Sequence, residues 1–260
     1  MKLFINIDDS NRLAHKTRND LIRKSNNIGI DIVDEVKDAD ILCSIGGDGT
    51  FLKTSHLSED KPIIGINCGT LGYLTDVKPS EIDNVLNDLL DENYYIEERM
   101  MLTGQIVKAD GRIINIPDAL NDITVSKNTF GIIRFDCFID SKLINSYTAD
   151  GIIISTPTGS TAYNLSCGGP IVDPTASLVI LTPIAPHSIL NRSIVLSSDS
   201  VIEIQVTQIR NNSLSYVLYD GQAMEITTGD IIRIKKSKRT ARIIKLSWQS
   251  FVENIHQNIR

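Results

Sequence analysis

Up to residue 98, short apolar runs alternate with segments whose apolar residues recur at helical spacing. Runs of strand length lie at 3–7, 28–33, 41–45 and 63–66. Residues 10–27 carry an apolar stripe at the three- and four-residue intervals of a helix, and residues 82–90 carry another, with Ser80 as its predicted cap. Because strands that alternate with helices form a parallel sheet covered by helices, the pattern predicts an α/β domain at 1–98.

From residue 99 the pattern changes to β-rich runs separated by turn signals. Apolar and polar residues alternate at 201–206 and 231–234, and Asp110-Gly111 is a hairpin signal. A run of strands without long helices predicts an all-β C-terminal domain at 99–248, as an antiparallel sandwich or a related form. The basic residues at 235–239 predict a solvated turn between two strands. The tail at 249–260 has helix-like spacing and is predicted to pack back on the first domain.

Composition and charge narrow the class of protein. The chain has 260 residues, 42% hydrophobic and 22% charged, and a formal net charge of -6, which argues against a dedicated nucleic-acid partner. No apolar stretch has the length of a membrane span, and the first residues turn polar too early for a signal peptide. The four cysteines stand singly, with no C-x-x-C pair, so we expect reduced thiols and a cytoplasmic location.

A glycine loop that contains an acid follows the third predicted strand. The sequence Gly-Gly-Asp-Gly-Thr at 46–50 places free backbone N–H groups where an anion can bind, and it is neither a Walker loop nor a dinucleotide fingerprint. Asp48 could hold Mg²⁺ or accept the proton of a hydroxyl that attacks a phosphate. Alternatively, Asp48 only caps the following helix. Lys53 could supply a cation to a phosphate or be an ordinary exposed lysine.

The segment 150–166 is dense in hydroxyl groups. An apolar strand at 152–154 leads into a run of serines and threonines, and Tyr163 offers an aromatic face for a base. Gly168-Gly169-Pro170 then forces a sharp turn. The residues alone predict a polar small-molecule site. The alternative is a polar connection in which the hydroxyls cap helices and Tyr163 packs.

The glycine loop, the pair Asn121-Asp122 and the segment 150–170, in this order, resemble the NAD kinase family. The glycine loop is shared with diacylglycerol, sphingosine and 6-phosphofructo kinases, whereas the run at 156–163 is specific. The resemblance implies an α/β domain followed by a β domain. It also implies a phosphotransferase that moves the γ-phosphate of ATP to the 2′-hydroxyl of the adenosine ribose of NAD, with a divalent cation such as Mg²⁺. Inorganic polyphosphate stays open as a further donor.

The resemblance assigns a role to each matched position. Asp48 would be the base that activates the ribose hydroxyl, while Gly49 would lie against the dinucleotide and Lys53 would contact a phosphate. Asn121 and Asp122 would hold the ribose hydroxyls, although many relatives have Glu where Asp122 stands, so the carboxylate reaches less far. The residues expected around the adenine are Thr158, Thr161, Ala162, Tyr163 and Ser166.

Other positions are expected at the nicotinamide end. Asp150 and Ala185 would contact it from a neighbouring subunit, which implies a homodimer or homotetramer with shared active sites. Thr148 occupies a position that varies in the family and could influence the choice between NAD and NADH, or be an ordinary strand residue. Gln222, after Asp220-Gly221, is expected to touch the dinucleotide.

Two other functions are compatible with parts of the pattern. A lipid or sugar kinase that shares only the glycine loop is one, but a lipid enzyme should show an apolar acyl-binding cleft or a membrane-facing segment. A non-catalytic dinucleotide sensor is the other. Such a protein would be expected to have lost the acid of the glycine loop, whereas this chain has Asp48. The expected partners are therefore NAD and ATP, without nucleic acid or membrane.

Overall fold

The protein is described by a computed structural model that covers residues 1–69, 72–75, 77–127, 131–187, 191–209 and 214–246. The chain divides into two compact units. The first contains Met1–Arg99 and the described residues from 241 onward, and the second contains Met100–Thr240. The domain limits predicted at 98 and 248 stay predictions. The second limit and the tail at 249–260 lie outside the described residues.

The first unit is a parallel sheet with helices. Its strands are β1 (Lys2–Ile7), β2 (Asp31–Val33), β3 (Ile41–Gly46) and β4 (Ile63–Asn67), in the order β2-β1-β3-β4. Its helices are α1 (Arg12–Asn27), α2 (Asp48–Leu57) and α3 (Ile82–Leu90), with short 3-10 turns at Val36–Asp38 and Pro79–Glu81. Every strand pair among β1 to β4 is parallel. The predicted α/β fold of this part of the chain is confirmed.

The ends of the helices follow from local hydrogen bonds. Asn11 caps α1, since its side-chain oxygen accepts the N–H groups of Leu13 at 2.9 Å and Ala14 at 3.3 Å. The predicted cap of α3 at Ser80 is wrong, because Ser80 lies inside a 3-10 turn and lacks the extended backbone that a cap requires. The Glu81 carboxylate accepts the Lys78 N–H at 2.7 Å instead.

The second unit contains two sheets with a shared apolar core. One sheet has the order β12-β11-β10-β7-β14-β15, and the other contains β16-β13-β8-β9 with β5 paired to β16 and β6. Their core combines Val125 and Ile154 of the first sheet with Phe135 and Ile204 of the second. The strands that lie wholly or partly in this unit are β5 (Tyr95–Val107), β6 (Ile113–Ala119), β7 (Asp122–Lys127), β8 (Ile133–Ile139), β9 (Lys142–Ala149), β10 (Gly151–Ser155), β11 (Leu178–Ile184), β12 (Ile194–Ser197), β13 (Ile202–Ile209), β14 (Ser215–Tyr219), β15 (Gln222–Ile226) and β16 (Ile231–Lys245). Residues 95–99 of β5 and 241–245 of β16 belong to the first unit. The predicted all-β class of this region is confirmed.

Two local predictions in this region had different outcomes. The hairpin at Asp110-Gly111 is confirmed, since β5 and β6 pair around it and Gly111 has φ +88°. The turn predicted at 235–239 is wrong, because β16 runs through it without a break. Ser237 is buried there while the neighbouring lysines are exposed, so the basic run is the solvent-facing side of a strand.

A buried ion pair connects the β5–β6 hairpin to the turn before β16. The Lys108 Nζ lies 2.7 Å from Asp230 Oδ2, and the two side chains are 15% and 1% exposed. Asp230 also accepts the N–H groups of Ala109 at 3.0 Å and Thr227 at 2.8 Å. Burial by itself would raise the pKa of Asp230, but the bonds from Lys108, Thr227 and Ala109 outweigh it and hold the pKa below its ordinary value.

We predict that Lys108→Met lowers the free energy of unfolding by about 3 kcal/mol, because it leaves a buried carboxylate without its cation. Urea unfolding measures the loss. The matched control is Arg112→Met on the same hairpin, where Arg112 and Asp110 form an exposed pair and little change is expected.

The loss of unfolding free energy caused by Lys108→Met should depend on pH. The pKa of Asp230 is lowered on folding, so its contribution is present above the unfolded-state pKa and is lost as the pH falls through the folded-state value. The difference between the wild type and Lys108→Met should therefore narrow in acid. Equal losses in Lys108→Met and Arg112→Met would contradict the proposed importance of the buried pair.

Candidate functional site

The glycine loop of the first unit is a tight connection from β3 into α2. Gly46 ends β3 and Gly47 precedes α2 in an extended conformation. A Cβ on Gly46 would lie 2.3 Å from the Thr50 hydroxyl oxygen, so only glycine lets Thr50 fold back on the strand. The N-terminus of α2 therefore follows directly after a strand, as the sequence predicted.

The carboxylate of Asp48 binds a second loop. Its Oδ2 accepts the Tyr73 N–H at 2.8 Å, and its Oδ1 accepts the N–H groups of Leu74 and Thr75, both at 3.2 Å. The Thr75 hydroxyl donates a further bond to Oδ1 at 3.1 Å. These partners belong to the loop after β4 rather than to α2, so the interpretation of Asp48 as a mere cap of its own helix is wrong.

Gly72 lets the second loop close on this carboxylate. A Cβ on Gly72 would lie 2.2 Å from Asp48 Oδ1 and 2.8 Å from the Thr75 hydroxyl oxygen. Burial, followed by the charge of Asp48, raises the pKa of Tyr73 in the same loop. Sequence analysis missed this loop, although the signal was present as glycines at 69 and 72 directly after an apolar strand.

Lys53 lies on the exposed side of α2. Its charge contributes to the lowered pKa of Asp8, after the hydrogen bonds that Ser10 donates to that carboxylate. Within the first unit the structure therefore groups three predicted residues, Asp48, Gly49 and Lys53, on one helix. Lys53 is accessible to an anionic ligand, as its proposed role requires.

In the second unit, Asn121 and Asp122 stand at the start of β7. Asp122 lies opposite Ser155 of β10 and accepts the Thr124 hydroxyl at 3.0 Å. Burial is the main cause that raises the pKa of Asp122 to about 6; the Thr124 bond opposes it and the charge of Asp220 adds to it. Asp122 is thus a carboxylate whose pKa lies well above its ordinary value.

The hydroxyl-rich loop packs directly on the Asn121 backbone. It contains a 3-10 turn at Thr158–Thr161 and the short helix α4 (Tyr163–Ser166). The Thr156 N–H donates to the Asn121 carbonyl at 2.9 Å. A Cβ on Gly159 would lie 2.1 Å from that same carbonyl oxygen, so glycine is required for this approach. The residues predicted around the adenine and those predicted around the ribose are therefore neighbours.

The side chains of this loop differ in exposure. Thr158 is buried, Thr161 and Ala162 are partly exposed, and Tyr163 is 43% exposed. Burial is the first cause that raises the pKa of Tyr163, followed by Cys167 and by the charges of Asp122 and Asp150. Tyr163 thus presents an aromatic ring close to both carboxylates. Ser166 is exposed at the end of α4.

Asn164 holds the loop in place and was not predicted. Its Nδ2 donates to the carbonyls of Ser160 and Pro170, both at 3.1 Å, and its Oδ1 accepts the Thr182 hydroxyl at 2.7 Å. Because the side chain is fully buried and all these groups are polar, substitution would leave buried donors and acceptors unpaired. A single polar residue within an already polar run offers no distinctive sequence signal.

Thr148, Asp150 and Ala185 lie together where β9 turns into β10, beside the end of β11. The Asp150 N–H donates to the Ile184 carbonyl at 3.0 Å, and the Asp150 carboxylate lies 2.5 Å from Lys127 Nζ. The carbonyl of Thr148 accepts the N–H of residue 187 at 2.7 Å. Ala185 has φ +43° although it precedes a proline, a conformation that is strained for this residue type.

Gln222 is exposed on β15, and its Oε1 accepts the Tyr219 hydroxyl at 3.2 Å. Its neighbour Asp220 binds the backbone just before Asp122 instead, through the N–H groups of Leu120 at 2.7 Å and Asn121 at 2.9 Å. The sequence assigned no role to Asp220 and named it only as a residue before Gln222. Its hydrogen-bond partners lie about a hundred positions earlier in the chain, where a local pattern cannot reveal them.

No helix among the described residues is long and apolar enough to cross a membrane. Within the same ranges, no group of three or more His, Cys, Asp or Glu side chains is arranged to hold a metal ion.

Family comparisons agree with the two-unit architecture. Residues 12–94 match the ATP-NAD kinase N-terminal domain and residues 120–246 match the ATP-NAD kinase C-terminal domain. The NAD kinase of Lachnospira eligens is 44% identical over 230 residues, which is 83% of this chain and 78% of that protein. The NAD kinase of Ruminiclostridium cellulolyticum is 39% identical over 232 residues, or 88% of this chain and 80% of that protein.

Solved structures show the same fold. Yeast NADH kinase complexed with NADH superposes with a TM-score of 0.90 at 23% identity, over 100% of this chain and 87% of that one. An NAD kinase from Archaeoglobus fulgidus in complex with ATP gives a TM-score of 0.80 at 25% identity, over 100% and 97%. Together the matches define a phosphotransferase that acts on an alcohol group. The chain belongs to the NAD kinase family.

We predict that Gly72→Ala lowers the free energy of unfolding by about 1–3 kcal/mol, because the new methyl group collides with the Asp48 carboxylate. The matched control is Gly49→Ala, where a Cβ meets no atom within 4 Å and alanine favours the helix. Thermal melts of both variants measure the difference. If Gly72→Ala is as stable as Gly49→Ala, the close packing of the second loop on Asp48 is wrong.

Proposed function

We propose that this enzyme transfers the γ-phosphate of ATP to the 2′-hydroxyl of the adenosine ribose of NAD and releases NADP and ADP. The observation that carries the proposal is the packing of the hydroxyl-rich loop on Asn121. It brings Tyr163, which offers a ring for a base, near Asp122, which offers acceptors for ribose hydroxyls. The glycine loop alone would fit several kinds of kinase.

Asp48 is the proposed base of the reaction. The ribose hydroxyl gives its proton to the carboxylate while its oxygen attacks the γ-phosphorus, and the bond from that phosphorus to the β-phosphate oxygen breaks. Oδ1 already accepts three hydrogen bonds, whereas Oδ2 accepts one, from Tyr73. Oδ2 is therefore the atom with a lone pair left for the incoming proton.

The donors around Asp48 also fix its position. The N–H groups of Tyr73, Leu74 and Thr75 bind the carboxylate and restrict its movement. In a loose phosphoryl-transfer transition state, positioning of the hydroxyl matters more than early removal of its proton. We expect Asp48 to orient the hydroxyl as well as to accept its proton.

The divalent cation expected with ATP would be held mainly by the phosphates. Mg²⁺ usually binds through one or two carboxylates plus substrate phosphates and keeps several waters, and it neutralises charge that develops on the phosphates. Three of the four hydrogen bonds to Asp48 fall on Oδ1, which leaves little room for direct coordination at that atom. The hydrogen bonds of Asp48 are therefore compatible with a cation that is bound mainly by the phosphates of ATP.

The proposed reaction is tested with the purified chain, Mg-ATP and NAD, and an NADP-specific dehydrogenase that reports the product. Parallel reactions with NADH as acceptor, and with inorganic polyphosphate as donor, define the range of substrates. A protein that binds NAD by calorimetry but forms no NADP would be a sensor rather than a kinase. We place the enzyme in the cytoplasm, which agrees with four cysteines that are all free.

We predict that Asp48→Asn lowers turnover by at least about 10²-fold, because an amide cannot accept the ribose proton. The new NH₂ group would also face the Tyr73 N–H, so the free energy of unfolding should fall by about 1–2 kcal/mol. Steady-state kinetics and thermal melts measure the two effects.

The matched control for Asp48→Asn is Thr75→Val. It removes the hydroxyl bond to Asp48 with little change of shape but keeps the carboxylate. Thr75→Val should therefore lose comparable stability while turnover stays within about tenfold of the wild type. If the two variants lose turnover equally, Asp48 acts through the loop and not as a base.

Asp150 and Ala185 are proposed to complete the site of a neighbouring subunit. We expect a homodimer or homotetramer by size-exclusion chromatography with light scattering. We further predict that Asp48→Asn and Asp150→Asn subunits, each poorly active alone, regain activity when mixed and reassembled, since some sites then carry both intact residues. A fully active monomer, or no recovery on mixing, would contradict shared sites.

A further inference from the structure

Asp220 lies at the tip of the β14–β15 hairpin in the second unit. Tyr219 pairs with Gln222, so Asp220 and Gly221 form a two-residue turn. Their φ angles are +44° and +82°, as a type I′ turn requires. Gly221 adopts its positive φ angle without strain, whereas Asp220 adopts a left-handed conformation that only a few non-glycine residues tolerate. The turn thereby directs a carboxylate toward a distant part of the chain.

The carboxylate of Asp220 accepts two consecutive backbone N–H groups. Oδ2 binds the Leu120 N–H at 2.7 Å and Oδ1 binds the Asn121 N–H at 2.9 Å. The carbonyls of the same two residues bind Thr156: Leu120 accepts its hydroxyl at 2.6 Å and Asn121 accepts its N–H at 2.9 Å. The peptide before Asp122 is therefore held by Asp220 through its N–H groups and by the hydroxyl-rich loop through its carbonyls.

We infer that Asp220 is a positioning residue for the dinucleotide, which fixes the 120–121 backbone so that Asn121 and Asp122 meet the ribose hydroxyls. This inference rests on the proposed function. Asp220 acts through the backbone and needs no contact with the ligand. Without it, two N–H groups beside the site would lose a charged acceptor, and the start of β7 would lose its link to the hairpin.

Asp220 also affects the charge of Asp122. Burial first, and then the negative charge of Asp220, raise the pKa of Asp122 to about 6, against the hydrogen bond from Thr124. Among the described residues, Tyr163 and Cys167 also feel the charge of Asp122, which adds to the effect of burial in raising their pKa values. If ionised Asp122 accepts ribose hydroxyls, NAD binding weakens as the pH falls through about 6. A neutral residue at position 220 removes the charge that helps to raise the pKa of Asp122. NAD binding should then weaken only at a lower pH than in the wild type.

The first variant is Asp220→Asn, which keeps the hairpin because Asn-Gly is strongly favoured in type I′ turns. It keeps one acceptor oxygen and turns an NH₂ group toward the second N–H. We expect the KM for NAD and the calorimetric Kd to rise about tenfold, which corresponds to the loss of one charge-assisted hydrogen bond. The kcat should fall less than the KM rises. A purely structural defect would lower the folded fraction and Vmax while the KM for NAD stayed unchanged.

The matched control is Asp140→Asn in the same unit. Asp140 starts the two-residue turn of the β8–β9 hairpin with φ +49°, and its Oδ1 accepts the Val201 N–H at 2.9 Å. It therefore has the same residue type, turn position and kind of bond, but its partner is not next to the site. Asp140→Asn should leave the KM for NAD and its pH dependence unchanged.

Amide hydrogen exchange separates the positioning role from the enzymatic one. In Asp220→Asn the Leu120 and Asn121 amides should exchange faster, and in Asp140→Asn they should not. If the wild type makes no NADP but this exchange pattern appears, the proposed function fails while the backbone role of Asp220 survives. If Asp220→Asn is poorly folded, Asp220→Gly supplies the same test, because Gly-Gly also favours this turn. The inference would be overturned if the folded variant kept the wild-type KM for NAD and also lost NAD binding over the same acidic pH range as the wild type.

Discussion

Carboxylates that accept backbone N–H groups hold together the loops on which the candidate site depends. Loop residues have no strand or helix partner for their N–H groups, and an unpaired buried N–H is costly. Asp48 accepts three such groups from the loop after β4, and Asp220 accepts two from the peptide before β7. Asp230 does the same for Ala109 and Thr227. In each unit a carboxylate thus supplies the hydrogen-bond acceptor that a strand or helix would otherwise supply.

Glycines make these approaches possible. At Gly72 a Cβ would overlap the Asp48 carboxylate, and at Gly159 it would overlap the Asn121 carbonyl. At Gly169 it would collide with the side chain of Asn164. None of the three needs a left-handed backbone; each is required because another chain segment occupies the space of a side chain. Each of these contacts therefore needs two residues at separate positions in the sequence: one that accepts hydrogen bonds and a glycine that leaves space for it.

This arrangement places acidic groups where an anionic dinucleotide is proposed to bind. Asp150 is balanced by Lys127, whereas burial, and after it the charge of Asp220, raises the pKa of Asp122. The proposed phosphate contact is instead the exposed Lys53 of α2, whose cation is free of such repulsion. The acids are left to accept hydrogen bonds from hydroxyl groups, which is the contact that ribose requires.

The sequence by itself determined the fold class of each region and the motifs. Local periodicity predicted the α/β and β regions, and the residues at 46–50 and 156–163 predicted where chemistry lies, because spacing and residue type act within a few positions. The tertiary structure alone decided the partners of the charged groups. Asp48 meets Tyr73 to Thr75, and Asp220 meets residues about a hundred positions earlier. It also decided that the basic run near 236 continues a strand, since that depends on which neighbouring strands pair with it. Such contacts are set by strand order, and local sequence carries no record of strand order.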